Sequence, residues 1–200
     1  SERITESHGN AYFARDAEEA RKIFGELVGS NKTVVKSKSL VTEEIHLNEA
    51  LERRGNKIFE TDLGEFIIQI RGEKPTHIIN PSVHVPKEEV ARTFSKLVGR
   101  EVKPDIPELV GVAREYLREK FCKADIGITG ANVVAAETGT LFIIENEGNA
   151  RFVSNAPPVH ICVTGIEKLV PTLEDAFKVV QVLPPYATGV LMSAYVSMIT

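Results

Sequence analysis

Two short stretches place chemistry-bearing side chains where apolar strands would otherwise run on. Glu137-Thr138-Gly139-Thr140 divides the apolar runs Val133–Ala136 and Leu141–Ile144. A carboxylate, two hydroxyls and a glycine between two strands suggest a site more than a plain core. A carboxylate in that position must either reach solvent in a cleft or find hydrogen-bond partners. In a cleft, Glu137 would be placed to act as a general base next to a carbonyl. In the plainer reading, Gly139 turns the hairpin and Glu137 tethers neighbouring N–H groups.

Lys36-Ser37-Lys38-Ser39 is the second stretch, between an apolar strand pattern and a helix start. Ligands of α/β sheets sit at such junctions, outside the carboxyl ends of the strands. Helix-start N–H groups, two hydroxyls and two ammonium groups would together hold a phosphate or carboxylate. The alternative is a solvated loop with Ser39 as an N-cap. No glycine-rich nucleotide spacing accompanies it. Asn132, Asn146 and Asn149 could orient a carboxylate ligand. Arg151 could grip one through two parallel hydrogen bonds, or pair at the surface with Glu145 or Glu147. The ligand-facing candidates are therefore Lys36, Ser37, Lys38, Ser39, Asn132, Thr138, Gly139, Thr140, Asn149 and Arg151, with Glu137 as the catalytic candidate. The two stretches are expected to face one cleft. Thr42, Glu43 and Glu44 fall in the first turn of the helix after Ser39, where carboxylates suit the dipole, and need no further role.

The elements that must position these residues alternate between helical and strand patterns. Asp16 with Glu19 is a capping box ahead of a helix ending near Gly29, and Lys32–Val35 reads as a strand. Ser39 to Arg54 reads as one helix, because Leu40, Val41, Ile45, Leu47 and Leu51 keep one broad apolar face. Lys57–Glu60 is a strand, Leu63–Ile70 a helix and His77–Ile79 a short strand. Pro86 opens a helix stopped by Gly99, and Asp105 with Glu108 caps the next. Strand-like pieces run from Ile126 to Val163, and Thr172 with Asp175 caps a helix. Leu191, Ala194, Tyr195 and Met198 continue at helical spacing to the last residue. The pattern predicts an α/β fold: a mostly parallel sheet, helices on both faces and an antiparallel hairpin insertion.

Composition narrows the classes. A formal net charge of −4 without a basic block argues against a nucleic-acid partner. No apolar run approaches the ~18–20 residues that span a bilayer. The polar start Ser1-Glu2-Arg3-Ile4-Thr5-Glu6 is no signal peptide. Cys122 and Cys162 both read as small core residues, and a cytoplasmic setting suits them better than a disulfide framework. His160, flanked by Val159 and Ile161, reads as a hydrogen-bonded core histidine. His77 and His84 lack zinc spacing and His46 lacks an HExxH partner, so no metal site is expected.

Several long words occur in one order: "KSKSLVTEEIHLNEALERRG", "ETDLGEFIIQI", "ADIGITGAN", "AAETGTLFII", "ENEGNARFVS" and "PPVHICVTGIEKLVPTLEDA". Together, from about Ala14 to the last residue, they resemble the LUD (lactate utilisation) domain family, most closely its iron–sulfur-binding, LutB-like branch. The resemblance implies a fold like the NagB/RpiA/CoA-transferase group and a part in oxidising lactate to pyruvate. It also implies a single LUD domain over 1–200, cut at both ends, with other lactate utilisation subunits as partners. An iron–sulfur cluster takes about four thiolates, more than this chain holds, so clusters are expected only in a part beyond Thr200. The chain is then a docking and small-anion-binding part, accessory more than catalytic. The alternative is a stand-alone enzyme of the same fold group acting on a phosphorylated or acyl metabolite, with Glu137 or Glu147 as base or nucleophile.

Overall fold

Val34 and Val35 are adjacent, and both are fully buried. Neighbouring strand residues point to opposite faces, so this strand must be covered on both sides. The computed structural model, which describes residues 2–73, 76–77 and 80–200, shows how. In chain order its elements are α1 (Glu2–Glu6), α2 (Ala17–Val28), β1 (Thr33–Lys36), α3 (Leu40–Glu44), α4 (Leu47–Glu52), β2 (Lys57–Glu60) and α5 (Leu63–Arg71). There follow α6 (Lys87–Val98), α7 (Ile106–Lys123), β3 (Ile126–Gly130), β4 (Val133–Ala135), β5 (Thr140–Glu145) and α8 (Asn149–Asn155). The remainder is β6 (Val159–Val163), β7 (Leu169–Val170), α9 (Leu173–Thr188) and β8 (Tyr195–Ile199). The strand expected at His77–Ile79 includes residues 78 and 79, which lie outside those described.

Four strands form a wholly parallel sheet in the order β2-β1-β3-β6. Val34 packs with Phe24, Val28, Leu47 and Leu51 on one face. Val35 packs with Ala124 and Val153 on the other. Helices therefore cover both faces, as the pattern requires. A third apolar cluster, built on Phe66, Phe94, Val112 and Leu117, joins α5, α6 and α7. Side-chain caps start four helices at Asp16, Asp62, Asp105 and Thr172, each accepting the N–H three residues on.

The hairpin expected as an insertion forms the middle of a second, mixed sheet in the order β7-β4-β5-β8. Here α9 closes one face through Ala176 against Val133, Ala135 and Phe142.

Three expectations are corrected. Ser39–Arg54 is two helices, because His46 takes the left-handed conformation (φ 50°, ψ 47°) and breaks the ladder between α3 and α4. The last segment is strand β8: its backbone groups pair with β5 from Leu141↔Ile199 to Glu145↔Tyr195. Cys122 is exposed, not core.

Candidate functional site

Chain order puts β2 on one side of β1, with β3 and β6 on the other. The connections leaving β1 and β3 diverge, and this opens a crevice at the carboxyl ends of those strands. Gly130 ends β3 so close to Ser39 that an added Cβ would lie 2.8 Å from the Ser39 hydroxyl oxygen. This junction therefore brings Lys36–Ser39 to the crevice.

Lys36 does not face solvent. It is 1% exposed, and its Nζ donates to Thr42 Oγ1 at 3.0 Å and pairs with Glu60 Oε1 at 3.0 Å. The pairing follows from register, since Lys36 and Glu60 are direct neighbours on β1 and β2. Thr61 fastens the same edge by donating both its N–H and its hydroxyl to the Lys36 carbonyl, each at 2.9 Å. Asn48 Nδ2 donates to Glu60 Oε1 at 2.7 Å. Lys38 Nζ lies 3.8 Å from Glu65 Oε1, an ion pair too long for a hydrogen bond. Ser37 and Ser39 are buried, and Ser39 occupies the N-cap of α3 without a side-chain capping bond.

Three carboxylates thus surround two lysines: Glu43 from α3, Glu60 from β2 and Glu65 from α5. Burial, then the charges of Glu43 and Glu60, push the Glu65 carboxyl up to about 7 against the pull of Lys38 and Lys36. Burial also raises Glu43, with Lys36 and Lys38 opposing. At the rim, burial and then Asp62 raise Glu147, opposed by the Leu63 N–H and, more weakly, by Lys38. A carboxyl titrating near neutrality can both give and accept a proton at neutral pH. Among the described residues, the buried side-chain oxygens without a hydrogen-bond partner are Glu43 Oε1, Asn48 Oδ1, Glu60 Oε2 and Glu65 Oε1. All belong to this cluster.

Of the other candidates, Asn149 alone reaches the crevice among the described residues: it opens α8 and donates to Thr61 Oγ1 at 3.2 Å. Its helix can approach because Gly127 has no side chain: a Cβ there would sit 1.9 Å from the Val153 carbonyl oxygen. Glu145 caps α8 by accepting the N–H groups of Ala150 and Arg151 at 2.7 and 2.9 Å. The Arg151 guanidinium lies over the Tyr195 ring at 4.7 Å. Asn132 Oδ1 accepts the Ile144 N–H, and Asn146 Oδ1 the Ala194 N–H. His160 is half-buried, not core, and its Nε2 meets Thr129 Oγ1 at 2.7 Å, the hydrogen bond expected of it.

Glu137–Thr140 lies apart from the crevice. From the crevice end at Gly130, β4 leads away to the turn, and β5 returns to Glu145. The turn is therefore a strand's length distant, roughly 17 Å along β5. Its polar groups have partners of their own: Glu137 Oε2 accepts the Leu173 N–H at 3.0 Å, Thr138 and Thr140 share hydroxyls at 2.7 Å, and Thr140 Oγ1 lies 3.3 Å from Thr200 Oγ1. Gly139 makes the turn with φ 74°. Glu137 borders an open hollow of about 330 Å³ with Glu2, Arg3 and Ala136. Among the described residues, strand geometry sets the two stretches a strand's length apart, against the shared cleft expected of them.

The LUD domain family matches residues 1–200. This chain belongs to the LUD domain family. Similar LUD-type relatives are the lactate utilization protein B of Oceanobacillus iheyensis, 42% identical over 202 residues, and that of Shouchella clausii, 44% identical over 203. Each alignment covers 100% of this chain, but only 42% and 43% of the respective relative. The Bacillus cereus protein of the same name is 41% identical over 199 residues, covering 98% of this chain and 42% of its own. The chain spans about two-fifths of the length of these curated relatives.

The LUD chain's own cysteines do not fit an iron–sulfur cluster. Cys122 and Cys162 are its only two, against the roughly four thiolates a cluster takes. Burial also pushes the Cys162 thiol up to about 11, away from the thiolate a metal needs. Among the described residues, no group of three or more His, Cys, Asp or Glu could hold a metal ion, and no helix is long and apolar enough to cross a membrane.

Glu60 and Glu65 went unnoticed in the sequence. One signal was available: Glu60 ends an apolar strand, just as Lys36 does, and such paired ends become neighbours in a parallel sheet.

Proposed function

We propose that this chain is the LUD portion of a lactate utilization protein B-type component in a system that oxidises lactate to pyruvate. In that role it serves as a docking part of a protein whose electron-transferring clusters lie outside these residues. The observation that carries the reading is 41–44% identity to proteins of that name across 98–100% of the chain. Exposed apolar side chains support docking: Tyr186, Leu191 and Met192, near the end of α9 and before β8, are 81–89% exposed. Leu191 and Met192 are adjacent in sequence, and contiguous exposed apolar surface marks places that meet other proteins. Lys36 and Lys38 act in this reading as counter-charges to Glu60 and Glu65, because carboxylates outnumber them at the crevice. In the host cell, disrupting the encoding gene should abolish growth on lactate while leaving growth on glucose intact. Tagged protein from lactate-grown cells should co-purify with lactate-oxidising activity. Unimpaired growth on lactate after disruption would overturn the reading.

A further inference from the structure

The crevice cluster has too few donors for its acceptors. Lys36 is spent on Thr42 and Glu60, and Lys38 stays 3.8 Å from Glu65. Glu60 and Glu65 are each more than nine-tenths buried, yet Glu60 Oε2 and Glu65 Oε1 accept no hydrogen bond. Glu43 Oε1 and Asn48 Oδ1 share that condition. A buried acceptor left unmet costs about 1–3 kcal/mol, more when charged. Among the described residues, with every carboxylate ionised, Glu43, Glu60 and Glu65 also outnumber Lys36 and Lys38 by one negative charge. We propose that this cluster is a binding site for one N–H-bearing monocation, the ammonium ion or the primary ammonium head of a small amine, received among Glu43, Asn48, Glu60 and Glu65.

The chemistry selects this class. Unmet acceptor oxygens call for a donor, and an excess negative charge calls for a positive one. No group of three acidic side chains among the described residues has the arrangement to ligate a metal ion. An N–H donor instead satisfies separate oxygens one hydrogen bond at a time. Entry is from the side of Glu43, which is half-buried, and Lys38, whose side chain is 20% exposed. The inference stands apart from the lactate reading and survives its failure.

The test titrates the chain at about pH 8, where Glu65 is mostly ionised, since it titrates near 7. Ammonium and methylammonium chloride are compared with tetramethylammonium and sodium chloride at equal ionic strength, following binding heat and melting temperature. Ammonium, methylammonium or both should bind saturably at a single site and raise the melting temperature. Tetramethylammonium, which has no N–H, and sodium should not. Glu65→Gln should weaken that binding about tenfold or more, as losing a charged acceptor does. Equal responses to every salt, no saturable binding by either N–H cation, or binding unchanged in Glu65→Gln would overturn the proposal. The comparison of salts uses the unaltered chain, so it holds even if a variant folds poorly.

Discussion

The carboxyl edge of the parallel sheet and the turn of the β4–β5 hairpin both interrupt apolar strands with polar side chains, yet they resolve the interruption differently. At the hairpin each side chain is partnered: the exposed Glu137 takes the Leu173 N–H, Thr138 and Thr140 share hydroxyls, and Thr140 also meets Thr200 Oγ1. At the crevice, the pairing of β1 with β2 brings Lys36 to Glu60 in the interior, and α3 and α5 add Glu43 and Glu65. The groups are partly paired, but acceptor oxygens remain over. A polar break in a strand therefore says little by itself about a site. What distinguishes a site is polar capacity that the fold itself leaves unmet.

The strongest way to break this contrast is at Lys36. Lys36→Met strands Glu60 in the interior without its counter-charge, at an expected cost of about 3–5 kcal/mol in denaturant unfolding. Replacing Lys36 and Glu60 together with apolar residues of similar volume should recover most of that loss. If the single variant unfolds like the parent, Lys36 is not holding a buried charge. Gly127→Ala comes next. Its Cβ would meet the Val153 carbonyl oxygen at 1.9 Å, which no rotamer can relieve, so α8 and Asn149 must shift. About 1–3 kcal/mol should be lost in the same measurement, as in an overpacked core.

A smaller effect, but one with a diagnostic sign, is expected from Glu65. Its carboxyl is raised from 4.5 to about 7 in the folded chain, so between those values the folded state binds the proton more tightly than the unfolded state. Stability from this group is therefore full below 4.5 and declines as pH rises through about 7, the reverse of a salt-bridged carboxylate. The charged groups facing it are Glu43, Glu60, Lys36 and Lys38. Glu65→Gln should flatten this decline and melt higher than the parent above neutrality. A variant whose melting temperature follows the parent's at every pH would contradict it. The smallest effect belongs to the hairpin. Glu137→Gln keeps an acceptor for Leu173 at an exposed position and should cost no more than about 1 kcal/mol in thermal unfolding. A larger loss would erase the contrast.

Much of the fold was legible, because its signals are local. Asp16, Asp105 and Thr172 announce helix starts within one turn, and the apolar runs of β1, β2, β3 and β6 are bounded by turn residues. Local spacing could not decide two places. The apolar face from Leu40 to Leu51 continues through the left-handed His46, so the break leaves no mark on periodicity. The spacing of Leu191, Ala194, Tyr195 and Met198 suits a helix, but β5 offers a free edge and takes the segment as β8. The site was half legible for the same reason. Lys36 and Lys38 stand out at a strand-to-helix junction, whereas Glu60 and Glu65 matter only because β2 lies beside β1. Glu43 was assigned to the helix dipole, a sufficient local reason that hid its place among the charges of the crevice.

The central claim is that burial beside Glu43 and Glu60 raises Glu65 by more than Lys36 and Lys38 offset. Carbon-13 NMR of side-chain carboxyls, titrated with pH and assigned through the spectrum of Glu65→Gln, measures this directly. The account predicts that the Glu65 carboxyl carbon titrates at about 7; a midpoint near the ordinary 4.5 would contradict it.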